Sequence, residues 1–109
     1  MKDNKVYLED IKNAINWILD DFVGDMEFEE FSDDKKTQDA VIRQIAVVGE
    51  ALNKLDKEFT TEHSELPVKE AVAMRNILVH DYDMVDLDEL WRAIKEDLPP
   101  LREMVKKLL

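Results

Sequence analysis

Several residue types are absent or scarce in this sequence, and each absence excludes a class of structure or chemistry. The 109 residues include no cysteine, which excludes disulfides and thiolate chemistry and fits a reducing cytoplasm. Only 2 glycines and 3 prolines occur, and no segment alternates as a strand does, so the sequence predicts an all-α fold. No apolar run approaches the roughly 20 residues of a membrane span, and the charged N-terminal segment is unlike a signal peptide. We therefore expect a cytoplasmic protein.

Positive charge is also scarce. The chain has 15 Lys and Arg against 26 Asp and Glu, a net charge of -11 at pH 7. A surface this acidic repels a polyanion at long range, which argues against a generic nucleic-acid binder. An RNA substrate would have to contact a small local patch, bind weakly or be helped by a partner. With 45% hydrophobic residues, the chain is predicted to form one globular domain, residues 1–109, whose small size favours a partner subunit.

Apolar residues recur at steps of three and four, which predicts an antiparallel bundle of four to five helices. The first helix is expected to end at Gly24, and a short helical turn follows over residues 26–31. The second helix should span about residues 34–55, with small residues, Gly49 among them, that allow a close approach of another helix. The polar stretch 57–65 is predicted to be a loop.

Two later helices have predicted starting points. Pro67 suits the first turn of a third helix, where its missing N–H would have no partner anyway. Asp86 is expected to cap a fourth helix, with Glu89 as the acidic half of a capping box. Pro99 and Pro100 predict a break or kink before a last short helix.

The end of the third predicted helix concentrates side chains that can do chemistry. Arg75, Asn76, His80 and Tyr82 lie close together in a chain with only 2 histidines. A fixed cation, a group that titrates near neutrality, an amide and a phenol suit phosphodiester cleavage without a metal. This segment is therefore the candidate site.

Helix geometry limits how these residues can cooperate. Asn76 and His80 are four positions apart, so they share a helix face. Arg75 and His80 are five apart, a rotation of roughly 140°. Either the helix loosens near His80, or the same residues of a second subunit complete the site. On a two-fold axis, two Arg and two His could surround one phosphate.

Structural roles are the alternative for these residues. A histidine near a helix C-terminus commonly donates to the last carbonyls, and Arg75 has many carboxylates with which to pair. His63, in a polar segment, is interpreted as solvated, and Trp17 and Trp91 as packing residues. We expect neither a metal nor another cofactor, because the histidines and carboxylates show no ligand spacing.

At the candidate site the sequence resembles the HepT toxin family, minimal members of the HEPN superfamily. The resemblance runs from Tyr7 to Leu109 and rests on segments in a fixed order: 38–43, 49–51, 74–82, 85–91 and 97–99. Val68 and Ala73 replace residues common in that family, and both changes leave the Arg-Asn-x-x-x-His-x-Tyr motif intact.

The resemblance implies a homodimeric helical bundle with a metal-independent RNA endonuclease site at the dimer interface. It also implies a partner, the MntA antitoxin, a minimal nucleotidyltransferase that transfers AMP to the motif tyrosine and silences the toxin. Carried onto this chain, Arg75 and His80 become the catalytic pair, Asn76 a supporting residue and Tyr82 the AMP acceptor. AMP on Tyr82 would place negative charge where the substrate phosphate must bind.

Two other hypotheses remain open at the level of sequence. The chain could be a non-catalytic helical dimer that binds a minimal nucleotidyltransferase, which the net charge of -11 favours. It could also be a purely structural dimer, in which the motif would tolerate alteration.

Overall fold

The all-α prediction is confirmed. The computed structural model describes residues 3–80 and 85–109, with every side chain in these ranges except those of Ile77, Val79 and His80. This part of the chain contains α-helices and short π-helical segments and no strand, and it forms a helical bundle. The α-helices are α1 (Asn4–Asn16), α2 (Phe28–Asp33), α3 (Lys35–Lys54), α4 (Lys57–Glu62), α5 (Val68–His80), α6 (Leu87–Arg92) and α7 (Leu98–Leu108).

Asp3 and Gly24 mark the start and the end of the first helical stretch, and both are residue types that commonly do so. Asp3 precedes α1, and its carboxylate accepts the Val6 N–H at 3.1 Å. The helix continues as a π-helical segment over Trp17–Val23 and stops at Gly24, as predicted. Gly24 has φ 53°, a conformation that favours glycine, and its N–H donates to the Leu19 carbonyl at 3.1 Å.

Helix α3 follows the short helix α2 after a single residue, Asp34. The Asp34 carboxylate accepts the Thr37 N–H at 3.0 Å and the Thr37 hydroxyl at 2.7 Å. These two hydrogen bonds hold the pKa of Asp34 below its ordinary value, because they favour the ionised carboxylate. The predicted bounds of this helix, 34–55, are therefore confirmed to within a residue.

The capping box predicted for Asp86 and Glu89 is only half formed. Asp86 does cap α6 and accepts the N–H groups of Asp88 and Glu89 at 2.9 and 3.4 Å. The Glu89 carboxylate instead accepts from Arg92 Nε at 3.3 Å. A reciprocal capping box is formed at α2, between Glu27 and the third helical residue after it.

The predicted loop over residues 57–65 is wrong, because Lys57–Glu62 forms helix α4. A helix this short shows no periodicity, but the Thr60 N–H donates to the Asp56 carbonyl, and Phe59 packs against the core. His63 is not fully solvated either. Its ring lies 4.5 Å from that of Phe59, and its side chain is 30% exposed.

At the two prolines, where a break or kink was expected, the helical hydrogen-bonding pattern changes but the helix continues. Residues Ala93–Asp97 form a π-helical segment, and α7 follows it directly. The backbone at Asp97 and at Leu98 stays in the right-handed helical region. Pro99 and Pro100 lie in the first turn of α7, where a missing N–H breaks no helical hydrogen bond.

Helix α3 lies at the centre of the bundle and packs against α1 and α5, while α7 packs against α1. The apolar stripes of the first and second predicted helices form much of the core, together with residues of later helices such as Leu90 and Leu101. The fully or nearly fully buried members of the two stripes are Leu8, Ile11, Ala14, Ile15, Ile18, Val41, Ile45, Val48 and Leu52.

The aromatic residues Phe28, Phe31 and Trp91 close one end of the bundle. The Trp91 ring lies 5.8 Å from Phe28 and 5.1 Å from Phe31, which confirms its packing role. Trp17 is 52% exposed and contacts Phe22 at 5.7 Å, so it covers little of the core. Across the described ranges, no helix has the length and apolar character needed to cross a bilayer.

Candidate functional site

Arg75 lies on α5 and points toward α3. Its Nη1 atom is 3.6 Å from Glu50 Oε2, and its side chain is 26% exposed. Its Nε atom is buried and has no hydrogen-bond partner in the described part of the protein. A buried donor without a partner costs free energy and so needs an explanation, and Arg102 Nε is in the same situation among the described residues. The ion pair that was the structural alternative for Arg75 exists, but it engages only one end of the guanidinium.

Gly49 lets α5 approach α3 at this point. A Cβ atom built on Gly49 would lie 2.8 Å from the Ala71 carbonyl oxygen and 2.8 Å from Arg75 Cβ. Neither distance is tolerated by ordinary side chains, so the two helices can come this close only with glycine here. The prediction of a close approach at a small residue of α3 is therefore confirmed, and the approach sets the position of the Arg75 stem.

We expect Gly49→Ala to lower the free energy of unfolding by about 1–2 kcal/mol. Overpacking costs roughly 1–3 kcal/mol, and the higher helix propensity of alanine returns up to about 1 kcal/mol. Urea denaturation followed by circular dichroism measures the change. Asn53→Ala, at an exposed position of the same helix, is the control and should be neutral or slightly stabilising. A Gly49→Ala protein as stable as this control would contradict the close-contact argument.

Glu50 and Lys54 of α3 form a charged cluster with Arg75 of α5. Lys54 Nζ lies 3.7 Å from Glu50 Oε1, so Glu50 faces one cation with each carboxylate oxygen. The side chains of Glu50 and Lys54 are both about half exposed, at 51% and 53%. Exposed pairs of this kind add little stability, so their arrangement is of interest chiefly for what they can bind.

A shallow depression of about 260 Å³ adjoins this cluster, between α1 and α3. Tyr7, on the α1 side, is half-buried against the core. The floor is formed by small and medium apolar residues of α3. The complete lining is Tyr7, Asp10, Arg43, Ala46, Val47, Glu50, Ala51 and Lys54.

The backbone of α5 is helical from Val68 through His80. Of the two options left by the sequence, loosening near His80 is not seen up to that residue, and the residues directly after it lie outside the described part of the chain. Over the five positions from Arg75 to His80, an ideal α-helix turns by roughly 140°. Asn76 is exposed, whereas the His80 side chain and the whole of Tyr82 lie outside the described residues.

A larger cleft, of about 520 Å³, lies elsewhere, between α3, α5 and the α6–α7 region. Its lining includes Ala71 and Met74 of α5, but neither Arg75 nor Asn76. Among the side chains that the structure describes, no three of Asp, Glu or His lie together as a metal site would need. Metal-free chemistry stays a prediction.

The ion pairs that Glu50 forms with Arg75 and Lys54 were not predicted from the sequence. The spacing of Glu50 and Lys54, with Glu four residues before Lys, is a recognisable helix pair. That pattern does not reveal the contact with Arg75, because the register of α3 against α5 is a tertiary property. Two polar links between distant parts of the chain were also missed. Gln38 donates to the Phe31 carbonyl at 2.8 Å in a buried hydrogen bond, and the half-buried Arg102 donates to Asn16 Oδ1 at 3.1 Å.

Comparison with known proteins gives a consistent family assignment. The family model described as "Ribonuclease HepT-like" matches residues 7–108. "Probable ribonuclease HepT" of Thermococcus cleftensis is 42% identical over 107 residues, which cover 98% of this chain and 96% of that protein. A protein of Caldanaerobacter subterraneus subsp. tengcongensis named "Putative RNase" is 35% identical over 109 residues, covering 100% of this chain and 96% of its own.

A "Putative RNase" of Methanocaldococcus jannaschii is 35% identical over 105 residues, covering 96% of this chain and 95% of that protein. No solved structure matches the chain significantly. The similarity therefore extends over nearly the full length of these relatives.

Proposed function

Because this chain belongs to the HepT-like ribonuclease family, we propose that it is an RNA endonuclease toxin of the HepT/MntA type. The observation that carries the proposal is the environment of Arg75. Its guanidinium is held at the α3–α5 contact, is partly exposed and has a buried Nε that finds no hydrogen-bond partner among the described residues. A cation fixed in this way, five residues before a histidine, suits the stabilisation of a phosphate.

The chemistry needs two groups and no metal. His80 would accept the proton of the attacking 2′-hydroxyl or donate one to the leaving oxygen, since its ordinary pKa range allows both near neutrality. Arg75 would stabilise the charge that develops on the phosphorane. Asn76, exposed beside Arg75, would orient the substrate or the histidine.

We further propose that Arg75 and His80 of one active site come from two subunits of a homodimer. A continuous α5 directs the two residues roughly 140° apart, so one subunit cannot easily aim both at one phosphate. A two-fold axis near α5 would bring Arg75 of one subunit toward His80 of the other. It would also double the local positive charge on a protein of net charge -11.

Subunit mixing tests this arrangement. Heterodimers of an Arg75→Ala subunit and a His80→Ala subunit should regain RNA cleavage, because one of their two shared sites is intact. In an unselected mixture, the expected recovery is about a quarter of wild-type activity. Two affinity tags isolate the heterodimer, light scattering confirms its mass, and a labelled RNA reports cleavage.

The reciprocal control pairs a wild-type subunit with one that carries both substitutions. Shared sites would then each lack one residue, and the heterodimer should be inactive. Activity in this control, with none in the first heterodimer, would mean that both residues act from one subunit. A fully active monomer in solution would also refute the shared site.

A cognate minimal nucleotidyltransferase of the MntA type is the proposed partner, and Tyr82 the proposed acceptor of AMP. The family assignment and the position of Tyr82 two residues after His80 support both. An adenylyl group there would add bulk and a negative phosphate beside the catalytic histidine.

The competing function is a non-catalytic helical dimer that binds such a nucleotidyltransferase. The net charge of -11 favours it, because long-range repulsion opposes the capture of RNA. It predicts that purified protein binds the partner without cutting RNA, and that the mixed dimers described above show no cleavage in either pairing.

A further inference from the structure

The Glu50 carboxylate lies near two cations, and both contacts are long. One carboxylate oxygen lies 3.6 Å from Arg75 Nη1 and the other 3.7 Å from Lys54 Nζ. Charge-assisted hydrogen bonds are usually about 2.7–2.9 Å long, so both of these contacts are longer than a typical hydrogen-bonded ion pair. The Glu50 side chain is also 51% exposed. Arg75 and Lys54 therefore face a common site that the Glu50 carboxylate now occupies. This carboxylate can move into solvent and leave the site to another anion, and we call the site the anion position.

We propose that Lys54 binds an RNA phosphate beside Arg75, and that Glu50 occupies this anion position until the phosphate displaces it. The proposal rests on the proposed ribonuclease function. A phosphodiester presents two anionic oxygens much as a carboxylate does, so the cations that face Glu50 can face a phosphate instead. Lys54 is then a substrate-binding residue and Glu50 an electrostatic competitor of the substrate.

Arg43 extends the same surface along α3. It is exposed, lies about three helical turns (about 16 Å) before Lys54, and lines the same depression between α1 and α3. The floor between the two cations is apolar and low, formed by residues such as Ala46 and Ala51. A single strand can therefore pass from Arg43 to Lys54 and reach Arg75, with Asp10 as the remaining acidic group on this path.

This surface supplies the local patch that an acidic ribonuclease needs. Salt screens the repulsion from distant carboxylates, since the Debye length is about 8 Å at physiological ionic strength. The cations beside the phosphate act at shorter range. Competition from Glu50 would keep non-specific affinity low, because every phosphate bound at Lys54 must first displace a carboxylate.

The test measures binding of a fluorescein-labelled single-stranded oligoribonucleotide of mixed sequence, by anisotropy, over a series of salt concentrations. All proteins carry His80→Ala, so that the probe is not cut. Lys54→Ala should weaken binding about three- to tenfold and reduce the slope of log K against log salt by about 0.7. Glu50→Gln should tighten binding about threefold, because it removes the competing charge.

Glu103 and Lys106 of α7 provide matched controls. They form an exposed pair with a Lys106 Nζ–Glu103 Oε2 distance of 3.6 Å. Lys106→Ala and Glu103→Gln make the same changes in net charge and should leave affinity nearly unaltered. The opposite signs expected at Lys54 and Glu50 separate phosphate binding from a structural role, since loss of a structural pair would weaken binding in both variants. Lys54→Gln, which keeps most of the side chain, repeats the test if the alanine variant loses helical content.

A Lys54→Ala protein that binds like the Lys106→Ala control overturns the assignment, and so does weaker binding by Glu50→Gln. Failure of the ribonuclease function looks different. In that case the protein with an intact His80 cuts no RNA, whatever the binding results. Cleavage by that protein, together with unchanged binding in both α3 variants, counts against this phosphate site alone.

Discussion

His80→Ala should lower RNA cleavage by about 10²–10⁴-fold, since that is the usual contribution of a general acid or base. Arg75→Ala should cost about 10²–10³-fold through loss of charge stabilisation in the transition state. Both variants should lose growth inhibition and keep nearly the wild-type helical content. Cleavage of a labelled RNA in the presence of EDTA, with circular dichroism of each protein, measures these effects.

The chain offers a matched control for each substitution. His63 is the other histidine and packs beside Phe59, so His63→Ala should leave cleavage close to the wild-type level. Arg92 is 43% exposed and pairs with Glu89 and Asp97, so Arg92→Ala removes an arginine away from the site. If the Arg75 and His80 variants cut RNA as well as these controls, the motif has a structural role. Cleavage that is lost in EDTA and restored by magnesium would refute the metal-free mechanism.

Tyr82→Phe should remain toxic and escape neutralisation by a cognate nucleotidyltransferase. The substitution removes only the phenol oxygen that would accept AMP, so the cleavage site keeps its shape. Wild-type protein incubated with the partner and ATP should gain the mass of one adenylyl group per modified tyrosine and lose RNA cleavage. Intact-mass measurement followed by peptide mapping locates the modification, and growth assays score neutralisation.

Tyr7→Phe is the control, because Tyr7 and Tyr82 are the only tyrosines in the sequence. Tyr7 is half-buried against the core, so its phenol is a poorer target for an enzyme. Tyr7→Phe should therefore be modified and neutralised like the wild type. Adenylylation at another residue, or neutralisation of Tyr82→Phe through AMP transfer, would overturn the assignment and favour the binding-module hypothesis.

The long helices could be predicted from the sequence because their burial pattern is local. Stripes such as Val41, Ile45 and Val48 repeat over several turns, and Gly24 and Asp34 mark helix ends by their own backbone and side-chain chemistry. Helix α4 could not be predicted in this way, since six residues anchored by Phe59 show no periodicity. The π-helical segment before Pro99 depends on how the helix continues past the prolines, which the residue types alone do not specify.

The sequence was enough to propose where the candidate site lies, but not to predict how its residues meet. The chemistry proposed for Arg75 and His80 was inferred from residue type and spacing, and their expected separation around the helix follows from helix geometry. The partners of Arg75 depend on the register of two helices. Glu50 and Gly49 become its neighbours only when α5 lies against α3. The proposed second subunit would contribute through an interface between chains, which no local sequence pattern describes.

The contact at Gly49 has a consequence for any attempt to redesign this protein. Side-chain crowding can usually be relieved by trimming the opposing residue, but one of the opposing atoms here is the backbone carbonyl of Ala71. No substitution at position 71 removes that oxygen. A larger residue at position 49 can be accommodated only if α5 moves as a whole, and Arg75 moves with it. Second-site changes that restore stability to such a variant should therefore leave its catalysis impaired.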